Sequence, residues 1–489
     1  MRRDVGDRRS RGHDVPPPGE TCPRPDTGLG MFAPVGAAAD LDRRAYDLAV
    51  AGLRAQLAAL PSGAPVRLGK RTSNLFRTRE ASSAPRLDVS AFSGVLHVDP
   101  DRRTADVLGM TTYEDLVAAT LPHGLMPLVV PQLKTITLGG AVTGLGIESS
   151  SFRNGTPHES VLEMDVLTGA GEVLTVTPDG EHAELFAGFP NSYGTLGYAL
   201  RLLIELEPVQ PYVHLQHVAC GSVAEATDVM AAACRGREAD FVDATWFSPD
   251  EVRVTLASWA ASAPYVSDYT GQHVYYRSVQ SRDEDWLTVA DYLWRWDTDW
   301  FWCSRAFGAQ NPTVRRFWPK RWLRSDVYWK LVAFEKRHRW KTRWDLRRGH
   351  PPREDVVQDV EVPVERLADF MDVFAREVPI APVWFCPLQQ RSADRTWPLY
   401  PLEPDRLYVN VGFWSSVPLD ADEPDGTHNR LVERLVEELG GHKSLYSTAY
   451  YDEDVFWRLH GGETYARLKA AYDPDRRLLD LYDKTVRNR

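Results

Sequence analysis

The sequence predicts an α+β fold of two domains, and three observations lead to this class. Hairpin-like segments in residues 60–209 alternate with short helical patterns, without the regular β-α-β repeat of a parallel sheet. From Pro211 onward the composition becomes Trp-rich and basic, which marks a second domain. The chain has 489 residues, of which 43% are hydrophobic and 26% charged, so it can bury two cores.

Changes in composition set the predicted boundaries. Residues 1–38 are rich in charge, Pro and Gly, which predicts disorder. A first domain follows over 39–209, a second over 210–440, and a C-terminal segment over 441–489. No apolar run reaches eighteen residues, and the N-terminus lacks the apolar stretch of a secretion signal. The five cysteines are scattered and form no C-x-x-C pair. We therefore expect a cytoplasmic protein with reduced thiols.

In the first domain, hydrophobic periodicity predicts a helix over 40–60, which a proline and a glycine end. Alternation with turn residues predicts hairpins at 94–109 and 159–178. A short helix at 111–124, with a threonine as its N-cap, lies between them.

The second domain shows the pattern of an antiparallel sheet with helices. Alternating segments predict strands at 356–363, 381–388 and 406–414, and amphipathic periodicity predicts helices at 364–377 and 428–440. In the C-terminal segment, residues 445–451 are strand-like and residues 452–472 are helical.

A glycine- and serine-rich stretch, 134–151, is the most informative local feature. It is too polar and too rich in glycine for a core helix, and too apolar for a free linker. Glycines let backbone amides approach a phosphate and form an anion-binding nest, although a tight loop packed for shape is the alternative. The candidate phosphate-binding residues are Thr137, Leu138, Gly139, Gly140, Gly144, Gly146, Ile147, Glu148 and Ser149.

A second polar turn at 69–74 supports the same interpretation. Lys70 and Arg71 provide positive charge for a diphosphate, and neighbouring hydroxyl and amide side chains provide donors. The candidate residues are Gly69, Lys70, Arg71, Thr72, Ser73 and Asn74.

Other nucleotide and catalytic motifs are not matched. Gly144-Leu-Gly146 resembles the start of a dinucleotide fingerprint, but we expect no helix after it, so we reject a Rossmann fold. The turn at 69–74 lacks the spacing of a Walker A loop. The thirteen histidines form no metal-ligand spacing, so no metal is predicted. His158 and His460 are interpreted as ordinary buried polar residues.

The charge is strongly asymmetric. Residues 303–350 carry fourteen Lys/Arg and three Asp/Glu, a net +11, whereas the whole chain has −11, which leaves −22 elsewhere. Ten of the sixteen tryptophans lie between Trp286 and Trp344. Cations mixed with Trp over 286–348 favour peripheral contact with the inner face of a membrane. A solvated helical face with Trp in the core is the alternative, and nucleic acid is a third, disfavoured by the acidic remainder.

KTITLGG, GLGIESSS and the strand after GTLG resemble the flavin-binding domain of the vanillyl-alcohol-oxidase/p-cresol-methylhydroxylase (PCMH) superfamily. With VVQDVEVP, PVWFCP, LYVNVG and LYSTAYYDEDVFW, residues 60–485 are similar to the Δ24-sterol reductase (diminuto-like) family. They also resemble actinobacterial flavin reductases that convert a methylene-branched fatty acyl chain to a methyl-branched one.

The resemblance implies a two-part FAD-binding domain, an α+β substrate (cap) domain, and a C-terminal segment that returns to the FAD domain. It places the diphosphate of FAD on the loops at 69–74 and 137–149 and the flavin ring beside Gly194, Thr195 and Gly197. Relatives that tether FAD use a His in the first loop. This chain has Arg71 and Thr72 there, so non-covalent FAD is predicted. The polar N-terminus also departs from the membrane anchor of the sterol reductases.

The implied chemistry is reduction of an isolated alkene in a lipid, with NADPH as the electron source. Such an alkene needs a proton on one carbon as hydride reaches the other, and therefore a general acid in an apolar pocket. Alternation along 356–363 puts Asp359 and Glu361 on one face, and a buried Asp359 would have a raised pKa. Asp359 and Tyr450 are the candidate acids, with ordinary hydrogen-bonding roles as the alternative for each.

Two other functions stay open. The same fold is used by oxidases and dehydrogenases of alcohols or hydroxy acids. A peripheral lipid-binding protein without a cofactor is the non-enzyme alternative, and a colourless protein would favour it.

Overall fold

The computed structural model describes residues 35–70, 77, 83–271, 273–338, 344, 347–420 and 422–488.

The first domain contains one antiparallel sheet of six strands. Its strands are β3 (Val95–Asp99), β4 (Thr104–Leu108), β5 (Leu125–Pro127), β6 (Val161–Leu167), β7 (Val173–Val176) and β8 (Tyr198–Pro208). They follow the order β3-β4-β8-β6-β7, with β5 paired to β8. Two short strands, β1 (Arg67–Leu68) and β2 (Arg86–Leu87), form a separate parallel pair. Both predicted hairpins are present, as β3–β4 and β6–β7.

Helices cover this sheet and complete the first core. They are Val35–Ala58, Tyr113–Thr120, Leu138–Thr143, Ser151–Asn154 and Ala183–Gly188. The first two agree with the predicted helices near 40–60 and 111–124. Thr112 caps the second helix, because its hydroxyl accepts a hydrogen bond from the Asp115 amide.

Two expectations about the glycine-rich stretch are wrong. Residues 138–143 do form a helix, which is capped by the Thr137 hydroxyl. Leu138 and Val142 lie one helical turn apart, and both are buried. A four-residue helix, Ser151–Asn154, follows the fingerprint-like glycines. The rejection of a Rossmann fold still holds, because the sheet is antiparallel.

The second, cap domain is built on an eight-stranded antiparallel sheet. Its strands are β9 (Tyr212–Cys220), β10 (Phe241–Ser248), β11 (Glu251–Ala260), β12 (Glu284–Thr288), β13 (Arg353–Pro363), β14 (Val383–Leu388), β15 (Tyr408–Pro418) and β16 (His442–Lys443). Their order is β12-β9-β11-β10-β14-β15-β13-β16. The three strands predicted near 356–414 are therefore neighbours in this sheet, in the order β14-β15-β13.

Three helices cover one face of the cap sheet, and the first domain covers the other. The covering helices are Val223–Gly236, Leu367–Glu377 and Thr427–Glu438. Val360, Phe374 and Val432 belong to the core on the helix side. Because side chains alternate between the two faces of a strand, Trp384 and Cys386 of β14 point to the opposite face. They belong to the core shared with the first domain. Both faces of the sheet are thus buried.

Among the described residues, four helices of the cap belong to the Trp-rich part of the chain. They are Tyr275–Ser281, Val289–Leu293, Pro312–Phe317 and Ser325–His338. The tryptophans divide between the two environments that the sequence left open. Trp296 and Trp302 are buried in the core, whereas Trp322 and Trp344 are 48% and 53% exposed.

The C-terminal segment contacts the first domain. Its helices are Glu453–Leu459, Gly462–Tyr472 and Leu481–Thr485. The Tyr472 carbonyl accepts from the Ala170 amide at 3.0 Å, and Lys469 Nζ donates to the Thr195 carbonyl at 2.7 Å. The expectation of a strand at 445–451 is wrong, because Ala449 instead donates its amide to Thr485.

These elements confirm the predicted α+β class with two domains. No helix among the described residues is long and apolar enough to cross a membrane.

Candidate functional site

The glycines of the 137–149 stretch are required by close packing of backbone segments. A Cβ on Gly139 would lie 2.7 Å from the Gly109 carbonyl oxygen, and one on Gly146 would lie 2.8 Å from Pro131 Cγ. The amides of Leu138 and Gly139 donate to the carbonyls of Thr111 and Gly109, both at 2.9 Å. These amides are therefore committed within the protein, and packing explains glycine at both positions without a ligand.

The rest of the stretch extends toward the cap. Gly140 donates its amide to Thr137 Oγ1 at 3.2 Å. Gly144 lies against the Tyr193 ring, because a Cβ added at Gly144 would lie 3.4 Å from that ring. Ile147 is partly buried, and Glu148 and Ser149 are buried beneath the cap. The Ser149 carbonyl accepts from the Val242 amide of β10 at 2.8 Å, so the stretch joins the two domains.

The turn at 191–197 is the point where separate parts of the chain converge. Tyr193 has a φ of 50°, an uncommon left-handed conformation for a bulky residue. Its amide donates to Thr143 at 2.8 Å, and its carbonyl accepts from Lys484 Nζ at 2.6 Å. The Arg77 guanidinium lies 4.8 Å from its ring centroid. Backbone strain held in place by several partners is typical of functional sites.

The predicted residues of this turn are conformationally constrained. Gly194 and Gly197 have φ values of 74° and 152°, and a Cβ on Gly197 would lie 2.8 Å from the Leu167 carbonyl oxygen. Thr195 is fully buried. The turn is therefore a fixed platform at the domain junction.

The first polar turn is only partly described. Gly69 donates its amide to Leu87 at 2.7 Å, and Lys70 is exposed. Arg71, Thr72, Ser73 and Asn74 lie outside the described residues, so their predicted role in phosphate binding stays a prediction. Arg77, next along the chain, reaches the Tyr193 turn.

Opposite this turn, the cap sheet presents two carboxyl groups. Asp359 and Glu361 alternate onto the face of β13 that is turned away from the covering helices, whereas Gln358 faces those helices and donates to Asn429 Oδ1 at 2.7 Å. On the paired strand, a Cβ at Gly412 would lie 2.5 Å from Asp359 Oδ1 and 2.8 Å from the Trp414 ring. Glycine within this strand therefore leaves space for the carboxyl group.

Burial disfavours the ionised form of both acids. It raises the pKa of Asp359 to about 7, because an ionised carboxylate loses solvation there. It also raises the pKa of Glu361, as does the nearby charge of Asp359. A carboxylic acid with a pKa near the working pH is suited to donating a proton.

Tyr446, which sequence reasoning missed, orients Asp359. Its hydroxyl accepts from the Trp414 indole N–H at 2.9 Å and hydrogen-bonds the Asp359 carboxyl. Because the hydroxyl oxygen is occupied by the indole, its hydrogen points to Asp359. No helical or strand periodicity in 444–452 distinguishes Tyr446 from the other tyrosines, so the sequence held no signal for it.

Tyr450 lies elsewhere. Its ring packs against Gly426 and lies 5.0 Å from the Arg430 guanidinium, and its amide donates to Glu433. Gly426 and Glu433 belong to the helix side of the cap sheet, opposite the face that carries Asp359. The structure thus places the two predicted acids on opposite sides of the cap sheet, and Tyr450 is not positioned to act together with Asp359.

A buried ion triad ties the glycine-rich stretch to the cap. Arg295 Nη2 lies 2.9 Å from Glu148 Oε1 and 2.8 Å from Asp243 Oδ2. The three side chains are 1%, 4% and 3% exposed, and the Arg295 guanidinium also stacks 4.0 Å from the Tyr292 ring centroid. Sequence reasoning missed Arg295, whose partners are 147 and 52 residues away in the chain.

Aromatic side chains line the junction next to the acids. The Phe301 ring lies 4.3 Å from Trp414, 4.9 Å from Trp296 and 5.6 Å from Trp384, measured between centroids. Since Trp414 also binds Tyr446, this aromatic wall continues directly to Asp359. An apolar group can therefore lie beside the acid.

Several buried polar atoms at this junction have no hydrogen-bond partner among the described residues. They include Ser192 Oγ, Asn191 Oδ1 and Gln132 Nε2. Unpaired buried polar groups are rare in folded proteins and indicate a missing ligand or water. A flavin with its ribityl chain offers the carbonyls, N–H groups and hydroxyls that such atoms require, so these residues fit FAD.

Comparison with known proteins agrees with this arrangement. The family described as "FAD binding domain" matches residues 58–177. A Delta(24)-sterol reductase of Arabidopsis thaliana is 23% identical over 462 residues, which cover 87% of this chain and 80% of the relative. The human protein of that name is 24% identical over 404 residues, covering 80% and 75%. Cytokinin dehydrogenase 5 of Arabidopsis thaliana is 37% identical, but over only 111 residues, 23% of this chain and 20% of the relative.

The fold, the junction and the domain match define an FAD-dependent oxidoreductase. Within that class the chain resembles the Δ24-sterol reductases of the PCMH superfamily along most of its length, as its motifs predicted. The similarity to cytokinin dehydrogenase 5 is confined to about a quarter of the chain. Among the described residues, no group of three His, Cys, Asp or Glu side chains is placed to hold a metal ion.

Proposed function

We propose that this protein reduces an isolated carbon–carbon double bond in a lipid, with NADPH as the electron source and non-covalently bound FAD. The observation that carries the proposal is the Asp359 carboxyl, whose pKa is raised to about 7 by burial beside an aromatic wall. The similarity to Delta(24)-sterol reductases supports a lipid substrate. We propose a sterol side chain or a methylene-branched fatty acyl chain.

The resemblance to the sterol reductases assigns the residues that would hold FAD. The loops at 69–74 and 137–149 would lie at its diphosphate, without the amides of Leu138 and Gly139, which already bond within the protein. The turn at 191–197 would support its ring, and the unpaired atoms of Asn191 and Ser192 would meet its polar groups. When bound and reduced, FAD would supply a hydride to one alkene carbon.

Asp359 supplies the other half of the addition. Its carboxyl O–H bond breaks and a C–H bond forms at the second alkene carbon, so that hydride and proton together saturate the double bond. The resulting carboxylate is stabilised by the Tyr446 hydroxyl, which is held in place by Trp414. NADPH is oxidised to NADP⁺, and solvent returns the proton to Asp359.

The aromatic wall has two functions in this proposal. Phe301, Trp384 and Trp414 exclude water from the acid, which keeps Asp359 protonated. They also provide apolar contact for a hydrocarbon chain without a polar group that would favour an alcohol. A carboxyl group with a pKa near 7 could serve as acid or base, so the apolar wall, and not the acid, is the feature that favours a hydrocarbon over an alcohol.

An anaerobic experiment tests the function. The purified protein is reduced with NADPH while its flavin spectrum is recorded, and an unsaturated sterol or a methylene-branched phospholipid is then added in detergent. We expect reoxidation of the flavin by one of the lipids and a product two mass units heavier. In D₂O the product should carry one deuterium from solvent. Rapid reoxidation by air together with reduction by an alcohol would contradict the proposal, as would a protein that neither contains nor takes up FAD.

Variants test the proton donor. Asp359→Asn should retain FAD and its reduction by NADPH but lose alkene reduction by about a hundredfold or more, the usual contribution of a general acid. Tyr446→Phe should lower the rate less and shift its pH dependence. Tyr450→Phe is the matched control and should leave the rate unchanged. If Asp359→Asn keeps the full rate, the acid lies elsewhere.

A further inference from the structure

Exposed apolar side chains are concentrated in one part of this protein. Ten large hydrophobic side chains are exposed among the described residues, and six of them fall between Val314 and Trp344. Phe317, Trp322 and Phe334 are 80%, 48% and 49% exposed. Single exposed apolar residues are ordinary, but a concentration of them indicates an interaction surface.

The same stretch is basic. Residues 312–334, here called the exposed segment, contain six Lys/Arg and one Asp. Arg316, Arg321 and Lys330 are exposed beside the apolar side chains. The remainder of the chain outside 303–350 has a net charge of −22, so the exposed segment is a local cationic surface on an acidic protein.

The exposed segment is held firmly to the body of the protein. Arg315 forms a bidentate pair with the buried Asp299, at 2.7 and 3.0 Å. Arg324 forms another with Glu114, at 2.9 and 2.8 Å. Leu323 and Tyr328 are buried in a small core of their own. The exposed aromatics are therefore fixed on a structured base.

This base adjoins the candidate site. Asp297 accepts hydrogen bonds from Ser325 Oγ at 2.5 Å and from the amide of Lys134, which begins the glycine-rich stretch, at 3.0 Å. Trp300, in the core beneath the exposed segment, directly precedes Phe301 of the aromatic wall. The base of the exposed segment is therefore adjacent to the aromatic wall along the chain.

We propose that the exposed segment docks the protein on an anionic phospholipid bilayer. Aromatic rings at headgroup depth and cations beside them are the combination that binds such a surface. A nucleic acid would also attract the cations, but exposed aliphatic side chains such as Leu331 gain nothing from base stacking and are suited to acyl chains. This inference rests on the surface alone and is independent of the reaction proposed above.

Vesicle sedimentation with the FAD-loaded full chain tests the inference. Vesicles of phosphatidylcholine with about one third phosphatidylglycerol should bind the protein, and phosphatidylcholine alone should bind it far less. Binding should weaken as salt rises. The double variant Phe317→Ser/Phe334→Ser should lower the partition coefficient by about tenfold or more, with unchanged circular dichroism and flavin content.

The control variant changes exposed apolar residues elsewhere. Tyr265 and Val266 are 45% and 44% exposed, and Tyr265→Ser/Val266→Ser should bind vesicles as the unmodified protein does. Absence of binding to anionic vesicles would overturn the inference. So would equal loss in both double variants, or an oligonucleotide that binds more tightly than the vesicles. Each of these results would leave the flavin assay, and the proposed reaction, unaffected.

Discussion

Removing the charge of Arg295 should destabilise the protein far more than removing a similar arginine at the surface. Arg295→Met keeps much of the side-chain volume but leaves the carboxylates of Glu148 and Asp243 buried without their shared partner. Their side chains are 4% and 3% exposed, so water cannot replace the guanidinium. Breaking a buried ion pair in this way typically costs about 3–5 kcal/mol, and the stacking on Tyr292 at 4.0 Å is lost as well.

The matched control is Arg324→Met. Arg324 is also bidentate, with Glu114, but the two side chains are 27% and 37% exposed, so solvent can replace the interaction and the loss should stay below about 1 kcal/mol. Denaturant unfolding with flavin and tryptophan fluorescence measures both variants. Because Glu148 belongs to the glycine-rich stretch, Arg295→Met should also release FAD more easily. Equal stability losses in the two variants, or a loss under about 1 kcal/mol for Arg295→Met, would refute the assignment of the triad as the link between domains.

Four further outcomes follow from the same geometry. Above pH 7 the rate of alkene reduction by reduced enzyme in stopped flow should fall about tenfold per pH unit, because Asp359, with a pKa of about 7, deprotonates; a flat profile would contradict this. Because folding raises the pKa of Asp359 to about 7, its stabilisation by the protonated form is complete only below about pH 4, the pKa of an unfolded Asp, and is lost progressively up to pH 7. Asp359→Asn should therefore gain more melting temperature relative to the parent at pH 8 than at pH 4. Gly412→Ala, whose Cβ would lie 2.5 Å from Asp359 Oδ1, should slow alkene reduction while FAD stays bound; an unchanged rate would argue against a fixed acid. Gly146→Ala should destabilise by about 1–3 kcal/mol through contact with two prolines, whereas Gly52→Ala, with nothing within 4 Å, should stabilise by about 0.5–1 kcal/mol; thermal melts compare the two.

Local sequence patterns were sufficient for much of the fold. The hairpins β3–β4 and β6–β7 have alternation and turn residues within a few positions of each other, so their signals are local. The helix Leu138–Thr143 was missed for a tertiary reason. Gly139 is there because its backbone contacts Gly109, and its low helix propensity is overridden by that packing.

The sequence predicted less of the site than of the fold. Alternation placed Asp359 and Glu361 on one face of β13, but both faces of this sheet are buried, so periodicity could not show which face meets the first domain. Tyr446 and Tyr450 lie in a segment without regular structure, where spacing carries no directional information. Arg295 contacts residues from two other parts of the chain, and no local pattern signals such a contact.

Strand pairing in the cap sheet brings several of its buried polar residues next to one another. His217 pairs with Thr255, Thr255 with Asp243, and Asn410 with both Cys386 and Glu361. These residues lie on the face turned away from the covering helices and are almost fully buried, although an apolar core would favour hydrophobic side chains there. Arg295 donates to Asp243, and His217 bonds Thr255, so these polar groups find partners within the cap. In the proposed reaction, a polar cofactor would lie against the polar part of this face and the lipid against the aromatic wall. Asp359, beside Trp414, would then lie between the two, where a proton would pass to the lipid.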